Sequence, residues 1–393
     1  MPFVLPPSVL EADELALVLS FGRLSVLEVC TVLGRSVSQA EAPSERIAVI
    51  RADRPPIQRI PELSGVHKCA PLKSKIDSPG GDLKDLVDLM SAHLEPKSNV
   101  SLSGYDVAGD DYEDLVRSML DGIRGAGFKK VRLLRPQGNE LLSERVLSRE
   151  ALDVIAFPYR DGFGLGPTAW VPDSTSIRQR GTHKPAAHPD IALSPRLART
   201  LVNLADLRPG QTLLDPFCGS GTILIEAYSK SLRCLGLDSM ASRVQDAREN
   251  LKWYAGGVAE RGYDIRKGDA RELPRMLHGT KVDAIVSEPL LLPRLDARPK
   301  TSTAQAMINE SAKVYNDALA SMAGSIQPDG RIVVVVPVVQ TMDGDEVTLT
   351  LEARKVGLRP FQPGPVGFEY PIRLSFESTR WIRRAVYVFE PRS

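Results

Sequence analysis

The feature that most constrains the fold of this 393-residue chain is an apolar run that ends in an acid and turns through two glycines. Residues 213–222 read Leu-Leu-Asp-Pro-Phe-Cys-Gly-Ser-Gly-Thr, and the apolar residues 223–227 follow. This order predicts a strand, a glycine turn over residues 215–222 and a helix. Gly219 and Gly221 lack Cβ atoms, so the backbone can approach a ligand, and N–H groups at the helix start would face it. The pattern indicates an α/β domain with a nucleotide-type site.

The glycine turn does not have the residues of a phosphate-binding loop. A Walker loop carries Lys and then Ser or Thr after its last glycine, and a nicotinamide fingerprint spaces three glycines as G-x-G-x-x-G. Here Asp215 leads the turn and no lysine follows Gly221. An acid at the tip of a strand suits a ligand with a cationic amino-acid end. We therefore predict S-adenosylmethionine as the cofactor.

Acids also follow the next predicted strands. Asp238 ends the strand predicted over residues 233–237, where α/β nucleotide sites bind ribose hydroxyls. Asp269 follows the strand predicted over residues 263–266 and could accept a hydrogen bond from the adenine amine. A helix cap or a solvated turn is the alternative for any single acid, but several successive strand ends make that alternative weak. The predicted cofactor-binding residues are Asp215, Phe217, Gly219, Gly221, Thr222, Asp238, Asp269 and Ala270.

Composition sets limits on the class of protein. Lys and Arg number 50 against 49 Asp and Glu, so the net charge neither favours nor excludes a nucleic-acid partner. The four cysteines lack C-x-x-C spacing and the five histidines lack metal-ligand spacing, so we predict no metal site. The longest apolar stretch, residues 332–339, is too short to span a bilayer, and no signal-peptide pattern opens the sequence. We predict a cytoplasmic protein without membrane association.

The N-terminal region is predicted to be separate from this sheet. Residues 1 to about 150 have an α+β pattern, and the polar residues 73–82 are expected to form a loop or linker. Residues 124–149 are locally basic and would either meet the phosphates of a nucleic acid or form a solvated charged face. Residues 178–185 are expected to form a basic, substrate-facing connector.

Together these segments resemble the THUMP-containing tRNA guanine exocyclic-amine methyltransferases, in particular the archaeal and eukaryotic branch that modifies guanosine at tRNA position 10. The resemblance is carried by residues 214–222, by Ala-Leu-Ser-Pro-Arg-Leu-Ala at residues 192–198 and, more weakly, by residues 21–28 and 154–171. It implies tRNA as the partner and permits a small activating subunit.

The resemblance also implies a fold. It is a seven-stranded, Rossmann-like S-adenosylmethionine-dependent methyltransferase domain preceded by an α+β RNA-binding region. The implied domains are a ferredoxin-like domain (residues 1–72), a THUMP-like domain (73–160), a connector (161–190) and a class I methyltransferase domain (191–393).

One segment departs from the family pattern. The fourth predicted strand, residues 282–286, ends in Ser287-Glu288-Pro289-Leu290, which we call the acceptor segment. The family usually has Asp or Asn, Pro-Pro and an aromatic there, which accept the hydrogens of an amine and stack on the flipped base. The predicted catalytic residues are Ser287, Glu288, Pro289 and Leu290.

Three interpretations of the acceptor segment are open. In the first, Glu288 replaces the usual acid and another aromatic, such as Trp170 or Phe163, closes over the base. In the second, the enzyme methylates another base or DNA. In the third, the protein is an accessory that binds cofactor or tRNA without transferring methyl groups.

Overall fold

The computed structural model describes residues 3–34, 37–52, 57–136, 138, 140–187, 193–257, 262–289, 292, 295–363, 367–379 and 381–392. They form two compact units, an N-terminal unit within residues 1–175 and a C-terminal unit that comprises residues 176–363 and 367–393. No helix among these residues is long and apolar enough to cross a membrane.

The N-terminal unit begins with a four-stranded antiparallel sheet in the order β2-β3-β1-β4. In chain order its elements are β1 (Glu14–Leu19), α1 (Arg23–Leu33), β2 (Val37–Glu41), β3 (Ile47–Ala52), a 3-10 helix (Ile57–Glu62) and β4 (Val66–Pro71). This is a ferredoxin-like succession in which the 3-10 helix takes the place of the second helix. The β-branched and leucine-rich runs of β1 and β3 are buried on both faces, which is why they read as continuous apolar segments.

A five-stranded sheet follows in the order β5-β9-β8-β6-β7. Its elements are β5 (Ser74–Ile76), α2 (Lys84–Ser91), β6 (Asn99–Gly104), α3 (Gly109–Gly125), β7 (Arg132–Leu133), α4 (Ser143–Leu147), β8 (Leu152–Tyr159) and β9 (Gly162–Pro167). The prediction of a loop over residues 73–82 was wrong at β5, because three residues are too few to show an alternating pattern. β9 lies within the stretch for which a connector was predicted, and it pairs with both β5 and β8.

The two aromatics proposed to close over a base belong to the N-terminal unit. Trp170 is completely buried and forms bridges with Phe3 and Cys69. Phe163 lies in β9 and packs against the core of the five-stranded sheet. Because Trp170 has no exposed surface, the structure contradicts the hypothesis that Trp170 covers a base. Phe163 is only partly buried, and its role stays a prediction.

The C-terminal unit contains a nine-stranded sheet whose main path has seven strands in the order β12-β11-β10-β13-β14-β18-β16. Strands β10 to β14 are parallel and β18 is antiparallel to β14, so the Rossmann-like prediction is confirmed. The strands are β10 (Thr212–Asp215), β11 (Arg233–Asp238), β12 (Tyr263–Lys267), β13 (Val282–Ser287), β14 (Ile326–Gln340), β15 (Glu346–Thr348), β16 (Leu358–Pro360), β17 (Ile372–Thr379) and β18 (Ile382–Pro391). The extra strands β15 and β17 pair with β14 and β18.

Helices cover this sheet. They are α5 (Ser174–Thr182), α6 (Pro195–Leu204), α7 (Thr222–Tyr228), α8 (Ala241–Tyr254), α9 (Leu273–Met276) and α10 (Thr301–Ser325). Ser194 caps α6 by accepting a hydrogen bond from the Leu197 N–H at 3.2 Å, and Pro195 occupies the first helical turn, where its missing N–H costs nothing. Much of residues 178–185, predicted to be a connector loop, is instead the end of α5.

Candidate active site

Two neighbouring strands bring the glycine turn and the acceptor segment together. Asp215 ends β10 and Ser287 ends the adjacent β13. The Ser287 hydroxyl donates a hydrogen bond to the Asp215 carboxylate at 2.6 Å, and the Phe217 N–H donates to the same oxygen at 3.1 Å. Asp215 is only 1% exposed, and burial raises its pKa to about 7 although both hydrogen bonds act in the opposite direction. The negative charges of Asp238 and Glu288 raise this pKa further, so both carboxylates act on Asp215.

The glycine turn is fastened to the end of β11. Asp238 accepts hydrogen bonds from the Gly219 N–H at 3.0 Å and from the Met240 N–H at 2.9 Å. Gly221 has φ +80° and a Cβ there would lie 3.0 Å from Leu251, so the turn and α8 pack closely. Gly219 has φ +51° and a Cβ there would meet nothing within 4 Å, which leaves that side of the turn open to a ligand.

A lysine from the segment after α5 covers the glycine turn. Lys184 is 4% exposed, and its ammonium donates to the Thr222 hydroxyl at 2.8 Å and to the Ser220 hydroxyl at 3.2 Å. Burial lowers the pKa of Lys184 to about 8. Asn250 fixes the same segment, because its side chain bonds the backbone N–H and carbonyl of Ala186 and the carbonyl of Ser220.

These contacts correct the prediction that the basic connector faces the substrate for two of its cations. Arg180 donates two hydrogen bonds to Glu226, at 2.6 and 3.1 Å, and Glu226 is fully buried in α7. Arg180 and Lys184 therefore dock this segment onto the C-terminal unit itself. Desolvation is tolerated here because each cation finds polar partners in α7 or the glycine turn.

The acceptor segment is anchored by an ion pair. The Arg384 guanidinium in β18 donates to the Glu288 carboxylate at 2.5 Å, and their side chains are 6% and 12% exposed. The Pro289 carbonyl accepts a hydrogen bond from the Tyr315 hydroxyl of α10 at 3.4 Å. Ser287 is fully buried, and Leu290 lies outside the described residues.

Two predicted cofactor contacts have local partners. Asp269 caps a 3-10 helix (Ala270–Glu272) and its carboxylate accepts hydrogen bonds from the Arg271 guanidinium, the shortest at 2.6 Å. This pairing holds the pKa of Asp269 below its usual value. Ala270 is buried in the core, and Phe217 packs against the same core while its N–H bonds Asp215. The adenine role of Asp269 stays a prediction.

Sequence reasoning missed several residues around the site. Arg384, Tyr315 and Asn250 were not singled out, and Lys184 was assigned to the substrate side. Only Arg384 had a sequence signal, because Arg383-Arg384 interrupts an apolar strand and alternation directs one of the two inward. The structure agrees, since Arg383 bonds Glu346 whereas Arg384 is buried against Glu288.

The parallel sheet, its antiparallel β18 and the acids at the strand ends define the C-terminal unit as a Rossmann-like S-adenosylmethionine-dependent methyltransferase domain. Comparison with protein families agrees, because residues 182–343 match the family of RMKL-like methyltransferase domains, UPF0020. The matched stretch is about two fifths of the chain.

Named relatives match parts of the chain. A tRNA (guanine(10)-N2)-dimethyltransferase of Methanothermobacter thermautotrophicus is 36% identical over 146 residues, which is 37% of this chain and 39% of the relative. The Pyrococcus abyssi protein of the same name is 32% identical over 179 residues, 46% of this chain and 48% of the relative. The matches thus span about two fifths to one half of these relatives.

A solved structure has a similar fold over a longer range. The crystal structure of TrmN from Thermus thermophilus aligns with 96% of this chain and 99% of its own, with a TM-score of 0.53 and 19% sequence identity. At this identity the likeness concerns the fold.

Proposed function

We propose that this protein transfers a methyl group from S-adenosylmethionine to the exocyclic N2 amine of a guanosine in tRNA. The observation that carries the proposal is the 2.6 Å hydrogen bond from Ser287 to Asp215. It joins the first residue of the acceptor segment to the acid that begins the glycine turn. The predicted cofactor site and the acceptor segment therefore meet at the same end of the parallel sheet. The names of the relatives favour the same substrate class.

The residues at the glycine turn fit S-adenosylmethionine. Gly219 leaves the turn open on one side, and each Asp238 carboxylate oxygen, although it accepts one backbone N–H, has a further lone pair for a ribose hydroxyl. Buried Asp215 suits a cationic group. When bound, the cofactor supplies an electrophilic methyl group on a sulfonium.

The acceptor segment supplies the oxygens that an exocyclic amine requires. The lone pair of this amine is delocalised into the base, so hydrogen-bond acceptors must orient both N–H groups before nitrogen can attack. Arg384 fixes the position of Glu288, and the Glu288 carboxylate would accept one N–H. The Pro289 carbonyl has a second lone pair beside its bond from Tyr315 and would accept the other. Nitrogen would bond the methyl carbon as the methyl–sulfur bond breaks and its electron pair stays on sulfur as a neutral thioether, and Glu288 would take up the proton that nitrogen loses.

The N-terminal unit is proposed to bind the RNA backbone. Within the basic stretch, Arg135 pairs with Glu113 and Arg145 pairs with Glu150, which matches a solvated charged face. Lys129 and Lys130 precede β7 and Arg132 is its first residue; all three are exposed and are the candidates for phosphate contacts. One part of residues 124–149 thus matches a solvated charged face, and another part is exposed for contacts with phosphates.

Some assignments are carried by the resemblance alone. These are the domain bounds 1–72, 73–160, 161–190 and 191–393 and a small activating subunit, while the cytoplasmic location stays a prediction from the sequence. Activity of the purified chain on its own would argue against a required subunit.

The test is transfer of labelled methyl from S-adenosylmethionine into tRNA from cells that lack this protein, followed by nucleoside analysis. We expect label in N2-methylated guanosine and a loss of about a hundredfold or more in Glu288→Gln, the size of effect seen when one charge-stabilising group is removed. Glu249→Gln, at an exposed position of α8, is the matched control and should retain activity.

Other outcomes decide between the alternatives. Label in another nucleoside or in DNA would assign a different acceptor. Binding of cofactor and tRNA without any product would instead identify a non-catalytic accessory.

A further inference from the structure

Lys184 is a buried cation with an unusual set of partners. Lysines are almost never fully buried unless they are paired, because a desolvated charge is costly. Lys184 is 4% exposed, yet its hydrogen-bond partners among the described residues are the hydroxyls of Ser220 and Thr222. An ammonium has three donors, so two hydroxyls leave one N–H for a further acceptor.

The chain shows how it buries other cations. In the N-terminal unit, Lys68 is completely buried and donates to the Asp153 carboxylate at 2.8 Å. Arg180 meets the buried Glu226 carboxylate at 2.6 Å. Lys184 lies within ion-pair distance of no carboxylate in the described part of the chain. The negative charge of Asp246 lies near enough to raise the pKa of Lys184 against the effect of burial, but Asp246 pairs with Arg243 at 3.3 Å. Lys184 therefore lacks the direct carboxylate contact that the other two cations have.

We propose that the Lys184 ammonium binds the carboxylate of the amino-acid end of S-adenosylmethionine. The inference rests on the proposed function and adds a ligand contact to it. The buried acid Asp215 stands at the first residue of the glycine turn, and Lys184 is bonded to the last residue, Thr222. The turn thus carries one buried charge of each sign, and an amino-acid end with an ammonium and a carboxylate is complementary to that pair.

The open side of the turn supports this placement. A Cβ at Gly219 would meet nothing within 4 Å, so a ligand can lie along the backbone between the two charges. Asn250 holds Ala186 and Ser220 together, which fixes the segment that carries Lys184 before any ligand binds. An RNA phosphate would be a worse partner, because a nearly buried ammonium is out of reach of a backbone that runs over the surface.

The experiment compares three ligands by calorimetry on the full chain. S-adenosylhomocysteine has both the ammonium and the carboxylate, decarboxylated S-adenosylmethionine lacks the carboxylate, and 5′-methylthioadenosine lacks both. Lys184→Met is expected to weaken S-adenosylhomocysteine about tenfold or more and to change the other two by less than about twofold, because one charge-assisted contact is lost. Lys184→Gln, which keeps donors for the two hydroxyls, should show the same selective loss.

A matched control is Lys230→Met. Lys230 lies beyond the opposite end of α7 and donates to the Asn203 side chain at 2.7 Å, so its loss should leave all three affinities unchanged. An equal loss of affinity for all three ligands in both Lys184 variants would overturn the proposal and assign Lys184 a purely structural role. Unchanged affinity for S-adenosylhomocysteine, or a loss confined to tRNA binding, would overturn it as well. If Lys184→Met selectively weakens S-adenosylhomocysteine binding but the wild-type protein forms no methylated product, the proposed activity is refuted and the Lys184 contact stands.

Discussion

Replacing Arg384 should show how much the ion pair with Glu288 stabilises the acceptor segment. Arg384→Met leaves the Glu288 carboxylate, whose side chain is 12% exposed, without its 2.5 Å partner. With about 4 Å between charge centres and an effective dielectric of about 20, the pair is worth ~4 kcal/mol of Coulomb energy. Both groups are nearly buried, so solvent screens little of it. We expect a loss of about 3–5 kcal/mol in the free energy of unfolding, the usual cost of leaving one buried partner uncompensated.

The double variant Arg384→Met/Glu288→Met should recover most of that loss. The two methionines carry no charge that must be desolvated. Replacing a buried ion pair by apolar side chains of similar volume often leaves the free energy of unfolding unchanged. The difference between the double variant and the sum of the single variants measures the coupling of the pair.

The assay is urea unfolding followed by tryptophan fluorescence. The chain has three tryptophans, so Trp170→Phe in every variant leaves only Trp253 and Trp381, both of the C-terminal unit. A Phe at position 170 preserves most of the apolar volume. If Arg384→Met costs less than about 1 kcal/mol, or if the single effects simply add, then the ion pair is not the constraint that fixes Glu288.

Three further predictions concern pH, the glycine turn and RNA. Burial raises the pKa of Asp215 to about 7 from 3.8 in the unfolded chain, so the folded state binds the extra proton. The free energy of unfolding should therefore fall by about 2–3 kcal/mol between pH 5 and pH 8, and urea titrations of Asp215→Asn should lack this dependence. Gly221→Ala, at φ +80° and 3.0 Å from Leu251, should lower the melting temperature more than Gly219→Ala. Gly219→Ala should instead mainly weaken S-adenosylhomocysteine binding in calorimetry, because its Cβ would point into open space on the ligand side. Replacing both Lys129 and Lys130 with Ala should reduce the slope of tRNA affinity against salt by about 2, and an unchanged slope would remove them from the interface.

The parts of the fold that the sequence predicted are those with local signals. Strands β10, β11 and β13 were predicted because each is a largely apolar run that ends in a polar residue, and β12 because it alternates apolar and polar residues before a glycine. The carboxyl ends of parallel strands converge on one crevice. That convergence predicts that Asp215 and Ser287 lie near each other, but it does not predict the hydrogen bond between them.

The missed parts depend on contacts distant in sequence. Strand β5 has three residues, and its apolar partner comes from β9. Helix α5 contains Gly181 and has no buried residue, so no apolar stripe marked it. The partner of Glu288 lies 96 residues further along the chain, and no short motif reports such a pairing.

The distance between Glu288 and Arg384 also has a consequence for how the protein is made. A chain grows from its N-terminus, and domains fold as their residues emerge. Residues 215–222 and Lys184 are complete long before β18, so a nascent chain can form the glycine turn while Glu288 still lacks its guanidinium. The acceptor segment reaches its final arrangement only when residue 384 has left the ribosome.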